Sequence, residues 1–170
     1  RGSSRKFFIR LAQSDAKNCH QKADLDAIAT NIRYVAEGLK MLAERRIEVD
    51  IVFPPTHVWM QSMSERSGAL ISWEDIRTRI ARQAERYAKT TPSPIRVWDF
   101  DHPGTITNEP LPAEGQRGKW FYEVSHMTPA AGEMMLRVLR GTSLPDDPPD
   151  FARPFRSHTA TALFQVARND

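Results

Sequence analysis

The sequence has few of the features that mark specialised classes of protein. Among its 170 residues there is one cysteine, Cys19, so the chain cannot form an internal disulfide. No apolar run approaches the roughly 20 residues that a membrane-spanning helix needs, and no charged-apolar-small pattern typical of a signal peptide opens the chain. Hydrophobic residues make up 40% and charged residues 26%. These values predict one globular domain whose core needs no disulfides.

A strong excess of positive charge is also absent. The net charge is +3, and charges of both signs are mixed along the chain. The densest basic group alternates with apolar positions of a predicted helix, and it consists of Arg77, Arg79, Arg82, Arg86 and Lys89. No aromatic residues are interleaved with it for stacking on bases. We interpret this group as a solvated helix face and expect no nucleic-acid partner.

Hydrophobic periodicity predicts alternating helices and strands. Apolar residues at spacings of three and four predict a helix over 24–46, and a short β-branched run predicts a strand over 49–53. A loop is expected over 54–72, with one short helical piece around 57–63 as an alternative within it. Ser72 fits the N-cap of a second helix, which ends before Pro92. Residues 95–100 then predict a second strand.

The C-terminal third of the chain carries clear helix boundaries. Thr128 fits an N-cap, Pro129 the first helical position, and Gly141 the position just beyond the helix. Residues 142–156 hold four prolines and predict an irregular strap. Ser157 is then expected to cap a last short helix.

The order of these elements predicts an α/β fold with a parallel sheet flanked by helices. Only two strands are clear, whereas such sheets usually have about four to six. Phe7–Leu11 and Trp120–Tyr122 are candidates for further strands. We therefore expect either undetected strands or a chain that is part of a larger domain. The expected organisation is a lead-in over 1–20, an α/β domain over 21–141, and a strap and helix of the same domain over 142–170.

Polar side chains follow the predicted strands at the edge where open parallel sheets bind ligands. His57 follows the first strand, Asp99 lies at the end of the second, and His102 follows the second. Glu123 and His126 follow an aromatic stretch further along. A carboxylate three residues before His126 can hold one ring nitrogen and leave the other free as a base. Any one of these loop histidines, taken alone, is usually only solvated.

Two other chemistries are open for these residues. Asp99, Asp101 and His102, with His57 or His126, offer oxygen and nitrogen ligands to a metal. No fixed-spacing signature such as His-Glu-x-x-His accompanies them, and we predict no metal and no other cofactor.

Exposed aromatic residues offer the other chemistry, stacking on sugar rings. Trp59 and Trp120 fall in predicted loops or at edges and are the candidates for this role. Trp73 and Trp98 fit buried stripes of predicted elements instead. A binding module is therefore an alternative to an enzyme.

Three segments in order resemble the SGNH-type serine hydrolases, in the bacterial group related to alginate and exopolysaccharide O-acetyltransferases. "EVDIVFPPTHVW" and "IRVWDFD" are similar to two strands of that group, and "FYEVSHMTPAAGEMMLRVL" is similar to its late Asp-x-x-His block and following helix. The resemblance covers residues 25–141 and implies a three-layer, flavodoxin-like α/β domain. It also implies a carbohydrate or acyl ester substrate and an extracytoplasmic location. On this resemblance His126 is the general base and Glu123 orients it.

The sequence departs from the family pattern at three points. Glu123 replaces the usual Asp, and no Asn follows the middle strand, where Thr56 and His57 stand. No strand followed by Gly-Asp-Ser precedes the long helix, and Ser14 has no glycine beside it for the sharp turn that a nucleophile needs. We therefore expect a nucleophilic Ser outside the recognisable motifs, in an upstream segment or another chain that completes the fold. The alternative is a non-catalytic glycan-binding or structural domain.

Overall fold

The described part of the chain is a mixed α/β fold with a small sheet. A computed structural model describes residues 9–10, 25–67, 69–113 and 115–158. The elements in chain order are α1 (Leu25–Glu44), β1 (Val49–Phe53), α2 (Val58–Ser67), α3 (Ala69–Ala88), β2 (Ile95–Asp99), α4 (Pro129–Arg140) and β3 (Arg153–Pro154). The three strands form one sheet in the order β1-β2-β3, flanked by helices. No helix of these described ranges is long and apolar enough to cross a membrane.

The chain divides into two compact units. Among the described residues, the sheet unit comprises 25–53, 71–98 and 154–158. The site unit comprises the other described residues, which are 9–10, 54–67, 69–70, 99–113 and 115–153. The predicted catalytic and binding side chains all belong to the site unit.

The core of the sheet unit forms because alternate strand residues face the apolar stripes of two helices. Phe53, Ile95 and Val97 are buried on that face of the strands. The α1 and α3 residues packed with them are mostly small, which lets the helices approach the strands closely; the buried ones are Leu39, Ala43, Ala81 and Ala84. The apolar residues whose spacing predicts the first helix therefore include the ones that pack against the strands.

Asp50 of β1 and Arg96 and Trp98 of β2 form a polar network. Asp50 accepts hydrogen bonds from Arg96 Nε at 2.7 Å and from Trp98 Nε1 at 2.8 Å. The Arg96 bond is the largest cause holding the pKa of Asp50 below its ordinary value of 3.8. Alternation along β2 thus separates the apolar face, with Ile95 and Val97, from a half-buried polar face.

One predicted helix start is wrong, because helix α3 begins at Ala69 and Ser72 lies inside it. Helix α2 lies where a short helical piece is expected around 57–63 and extends it to Ser67. Thr128 precedes α4 as expected but makes no side-chain cap bond. Its hydroxyl donates to the Lys119 carbonyl at 2.8 Å instead. At the other end Gly141 has the left-handed backbone, φ 67°, that fits a residue just past a helix.

The third strand differs from both predicted candidates. Trp120–Tyr122 takes part only in an isolated antiparallel bridge, and Ile9 and Arg10 have helical backbone. Strand β3 comes from the proline-rich strap, and the Phe155 N–H donates to the Val97 carbonyl at 2.8 Å.

A side-chain contact accompanies this backbone bond, because Arg153 Nε donates to Asp99 Oδ2 at 2.9 Å. Beyond the turn at Ser157 and His158, the predicted last helix lies outside the described residues.

Candidate active site

Residues 120–128 form a short hairpin in the site unit. Two backbone hydrogen bonds of 2.8 and 2.9 Å join its arms on either side of an antiparallel bridge between Phe121 and Met127. Tyr122 and His126 flank the turn, and the Tyr122 N–H donates to the His126 carbonyl. The aromatic stretch and the Asp-x-x-His-like block are thus the two arms of one hairpin.

Glu123 and His126 meet at the turn of this hairpin. His126 Nδ1 donates to Glu123 Oε1. The Glu123 side chain is 8% exposed and that of His126 is 79% exposed. Nε2 of His126 has no hydrogen-bond partner among the described residues. The carboxylate therefore fixes a proton on Nδ1 and leaves the Nε2 lone pair open to solvent.

Ser125 explains why the chain folds this way at the turn. Its backbone N–H donates to Glu123 Oε2 at 3.0 Å, and its hydroxyl donates to Oε1 at 3.0 Å. A side chain that accepts from the backbone two residues on is a turn-forming device, here one methylene longer than the common Asp or Asn version. The Ser125 hydroxyl also lies 3.2 Å from His126 Nδ1, on the side of the ring away from Nε2.

His57 lies under the hairpin and not in the open. Its side chain is buried, and its Nε2–H donates to the Glu109 carbonyl at 2.7 Å. Its Nδ1 accepts from the Trp59 N–H at 3.1 Å, and its ring meets the ring of Phe121 edge-on. The His57 backbone N–H donates to the Val124 carbonyl at 2.8 Å. Both ring nitrogens are therefore engaged by the backbone, and the residue ties the start of α2 to the hairpin.

Asp99 and His102 organise the loop after β2. Asp99 is fully buried, and its Oδ2 accepts from Arg153 Nε at 2.9 Å while Oδ1 accepts from the Asp101 N–H at 2.9 Å. His102 Nε2–H donates to the Asp150 carbonyl at 2.8 Å, and its Nδ1 lies 3.9 Å from Asp99 Oδ2. Of the predicted site residues, the described contacts bring Glu123 to His126, His102 to Asp99, and the Trp59 backbone to His57.

The metal and glycan candidates are placed as follows. Among the residues that the structure describes, no group of three or more His, Cys, Asp or Glu side chains could hold a metal ion. Trp59 is 39% exposed. Trp120 is half-buried, and Lys119 Nζ lies 4.2 Å from the centre of its ring.

Glu109 is a site residue that sequence reasoning missed. Its carboxylate accepts the backbone N–H groups of Lys119, Trp120 and Phe121, the last two at 3.1 Å. A Cβ at Gly118 would lie 2.3 Å from the Phe121 carbonyl oxygen and 3.1 Å from Glu109 Oε2. The Glu109 carboxylate therefore holds the first arm of the hairpin at its base. Only a glycine fits at position 118, beside that carboxylate. In the sequence, only the glycine at position 118 indicates that the backbone passes close to another group there.

No family model, no curated protein and no solved structure matches this chain.

The buried state of His57 gives a testable dependence of stability on pH. Burial is the largest cause that lowers the pKa of His57 below 6.5, against an opposing hydrogen bond to the Glu109 carbonyl. The unfolded chain then binds the proton more tightly than the folded protein does. The neutral ring contributes stability that is fully present above about pH 6.5 and is lost as the pH falls through the folded pKa.

We expect the free energy of unfolding to decrease between about pH 7 and about pH 5 more steeply in the wild type than in a His57→Gln variant. Urea unfolding at a series of pH values measures both slopes. Equal slopes in the two proteins would show that His57 takes up its proton as readily folded as unfolded.

Proposed function

We propose that this chain is an SGNH-like O-acyl esterase or acyltransferase domain that acts on a carbohydrate ester. The observation that carries the proposal is the exposed His126 ring, held at Nδ1 by the buried Glu123 carboxylate. This pairing is the acid–imidazole half of a catalytic triad, in which the free nitrogen acts as general base. The resemblance of three ordered segments to SGNH-type hydrolases specifies acyl transfer as its chemistry.

The proposed reaction uses a serine outside the recognisable motifs. Its hydroxyl gives its proton to His126 Nε2 as its oxygen attacks the ester carbonyl carbon, and the buried carboxylate of Glu123 stabilises the resulting imidazolium. The imidazolium then returns the proton to the departing sugar oxygen as the ester bond breaks. Water completes hydrolysis by attacking the acyl-serine, or an acceptor hydroxyl completes acyl transfer.

Ser125 is not the nucleophile in this scheme. Its hydroxyl faces Nδ1 and donates to Glu123, whereas the free lone pair is on Nε2. We therefore also propose that the serine belongs to a more complete, three-layer SGNH domain. By resemblance alone, we propose an extracytoplasmic location. A glycan-binding module that keeps the hairpin without the reaction is the competing function, which the exposed Trp59 favours.

A serine-reactive fluorophosphonate probe tests the proposal on the full chain. We expect labelling of the wild-type protein, at a serine that mass spectrometry of peptides identifies. His126→Asn should lose the label, whereas His158→Asn, which changes an exposed histidine of the sheet unit, should keep it. An unlabelled wild type, or equal labelling of the wild type and His126→Asn, would overturn the proposal. An unlabelled protein that still binds acetylated glycan would be the binding module.

A further inference from the structure

The hairpin places an exposed aromatic ring directly beside His126. Phe121 faces the interior with no exposed surface, so the next residue along the arm, Tyr122, faces outward. The hydrogen bond of 2.9 Å between the Tyr122 N–H and the His126 carbonyl sets these two residues opposite each other. Directly opposed residues lie on the same face of a hairpin, with Cβ atoms about 4.5–5.5 Å apart. Tyr122 and His126 therefore share the outward face.

The Tyr122 side chain is available to a ligand. The residue is 44% exposed, which is high for a large aromatic ring. Its hydroxyl has no hydrogen-bond partner among the described residues. An aromatic ring offers a flat apolar surface, and the phenol adds a donor at its end.

Trp120 lies on the same arm two residues earlier but is less available. It is half-buried, and Lys119 Nζ lies 4.2 Å from the centre of its ring. Tyr122 is also the closer in sequence to the turn that carries the Glu123–His126 pair.

We infer that Tyr122 is a substrate-contacting residue that sets specificity for esters of sugars, an inference that rests on the proposed function. One face of a sugar ring presents C–H groups, which can pack on the Tyr122 ring while hydroxyls at the edge remain hydrogen-bonded. Stacking at this position holds the sugar beside Nε2 of His126, where the ester carbonyl must lie for attack.

Two esters separate this role from the chemistry itself. An O-acetylated cello-oligosaccharide has a sugar ring to stack, whereas ethyl acetate has no ring. We expect Tyr122→Ala to raise KM for the sugar ester about tenfold and to leave kcat/KM for ethyl acetate within about twofold. Tyr122→Phe, which keeps the ring, should stay within about threefold of the wild type on the sugar ester.

Equal losses on the two esters, or no loss on the sugar ester, would overturn the role of Tyr122 and leave the proposed function intact. A wild type that hydrolyses neither ester would overturn both. Urea unfolding of Tyr122→Ala checks the fold, and we expect the midpoint of the wild type because the residue is exposed.

Discussion

A His126→Asn variant should hydrolyse esters about 10²–10⁴-fold more slowly in kcat than the wild type. Its free energy of unfolding should change by less than about 0.5 kcal/mol, because its side chain is 79% exposed and packs little. The large loss follows from removing the only group of the hairpin turn whose nitrogen lone pair is open to solvent. Initial rates on p-nitrophenyl acetate measure kcat, and urea titration measures stability.

Glu123→Gln separates the orienting role of the carboxylate from its role in the turn. The amide oxygen can still accept from the Ser125 N–H, so we expect the fold to persist. It carries no charge to stabilise an imidazolium and does not hold the proton on Nδ1, so kcat should fall about 10²-fold or more. His158→Asn, the matched exposed histidine, should retain wild-type kcat. If His126→Asn retained the wild-type kcat, His126 would take no part in the reaction.

Glu109→Ala should destabilise the protein by about 3 kcal/mol, the largest change in stability that we expect at the hairpin. Its carboxylate accepts three successive backbone N–H groups, from Lys119 to Phe121, and alanine leaves all three without that acceptor. Water can reach some of them once the carboxylate is gone, which keeps the cost below the sum of three buried, unsatisfied donors. Urea unfolding measures the difference.

Glu133→Ala is the control for Glu109→Ala, because Glu133 is an exposed carboxylate of α4 and should change stability by less than about 0.5 kcal/mol. Gly118→Ala should also destabilise the hairpin, but by a steric clash, because the added Cβ would overlap the Phe121 carbonyl oxygen. If Glu109→Ala were as stable as Glu133→Ala, the hairpin would not depend on the internal carboxylate.

Local patterns predicted most of the regular elements. The stripe of α1, the β-branched run of β1 and the Pro129–Gly141 boundaries of α4 are written within each segment, so the sequence alone located them. Strand β3 was missed because it has two residues in a proline-rich strap and exists only through pairing with β2. Local propensity carries no information on such pairing.

In the candidate site, too, contacts between residues close in sequence could be predicted, and contacts between distant residues could not. Glu123 and His126 are three residues apart, so their contact could be predicted from spacing once the turn was recognised. His57 was placed correctly after β1, but what engages its ring is Glu109, 52 residues away. Asp99 likewise meets Arg153 at a separation of 54 residues. Whether a histidine or carboxylate is open to solvent depends on such distant partners, which no local motif reveals.

The most direct measurement is the protonation of the two His126 ring nitrogens, read from their ¹⁵N chemical shifts at about pH 8.5, where histidine is ordinarily neutral. With Glu123 accepting from Nδ1, we expect the proton on Nδ1 and a bare Nε2, and a change in this preference in Glu123→Gln. A proton resident on Nε2 in the wild type, unchanged by Glu123→Gln, would contradict the assignment of His126 as a base held by Glu123.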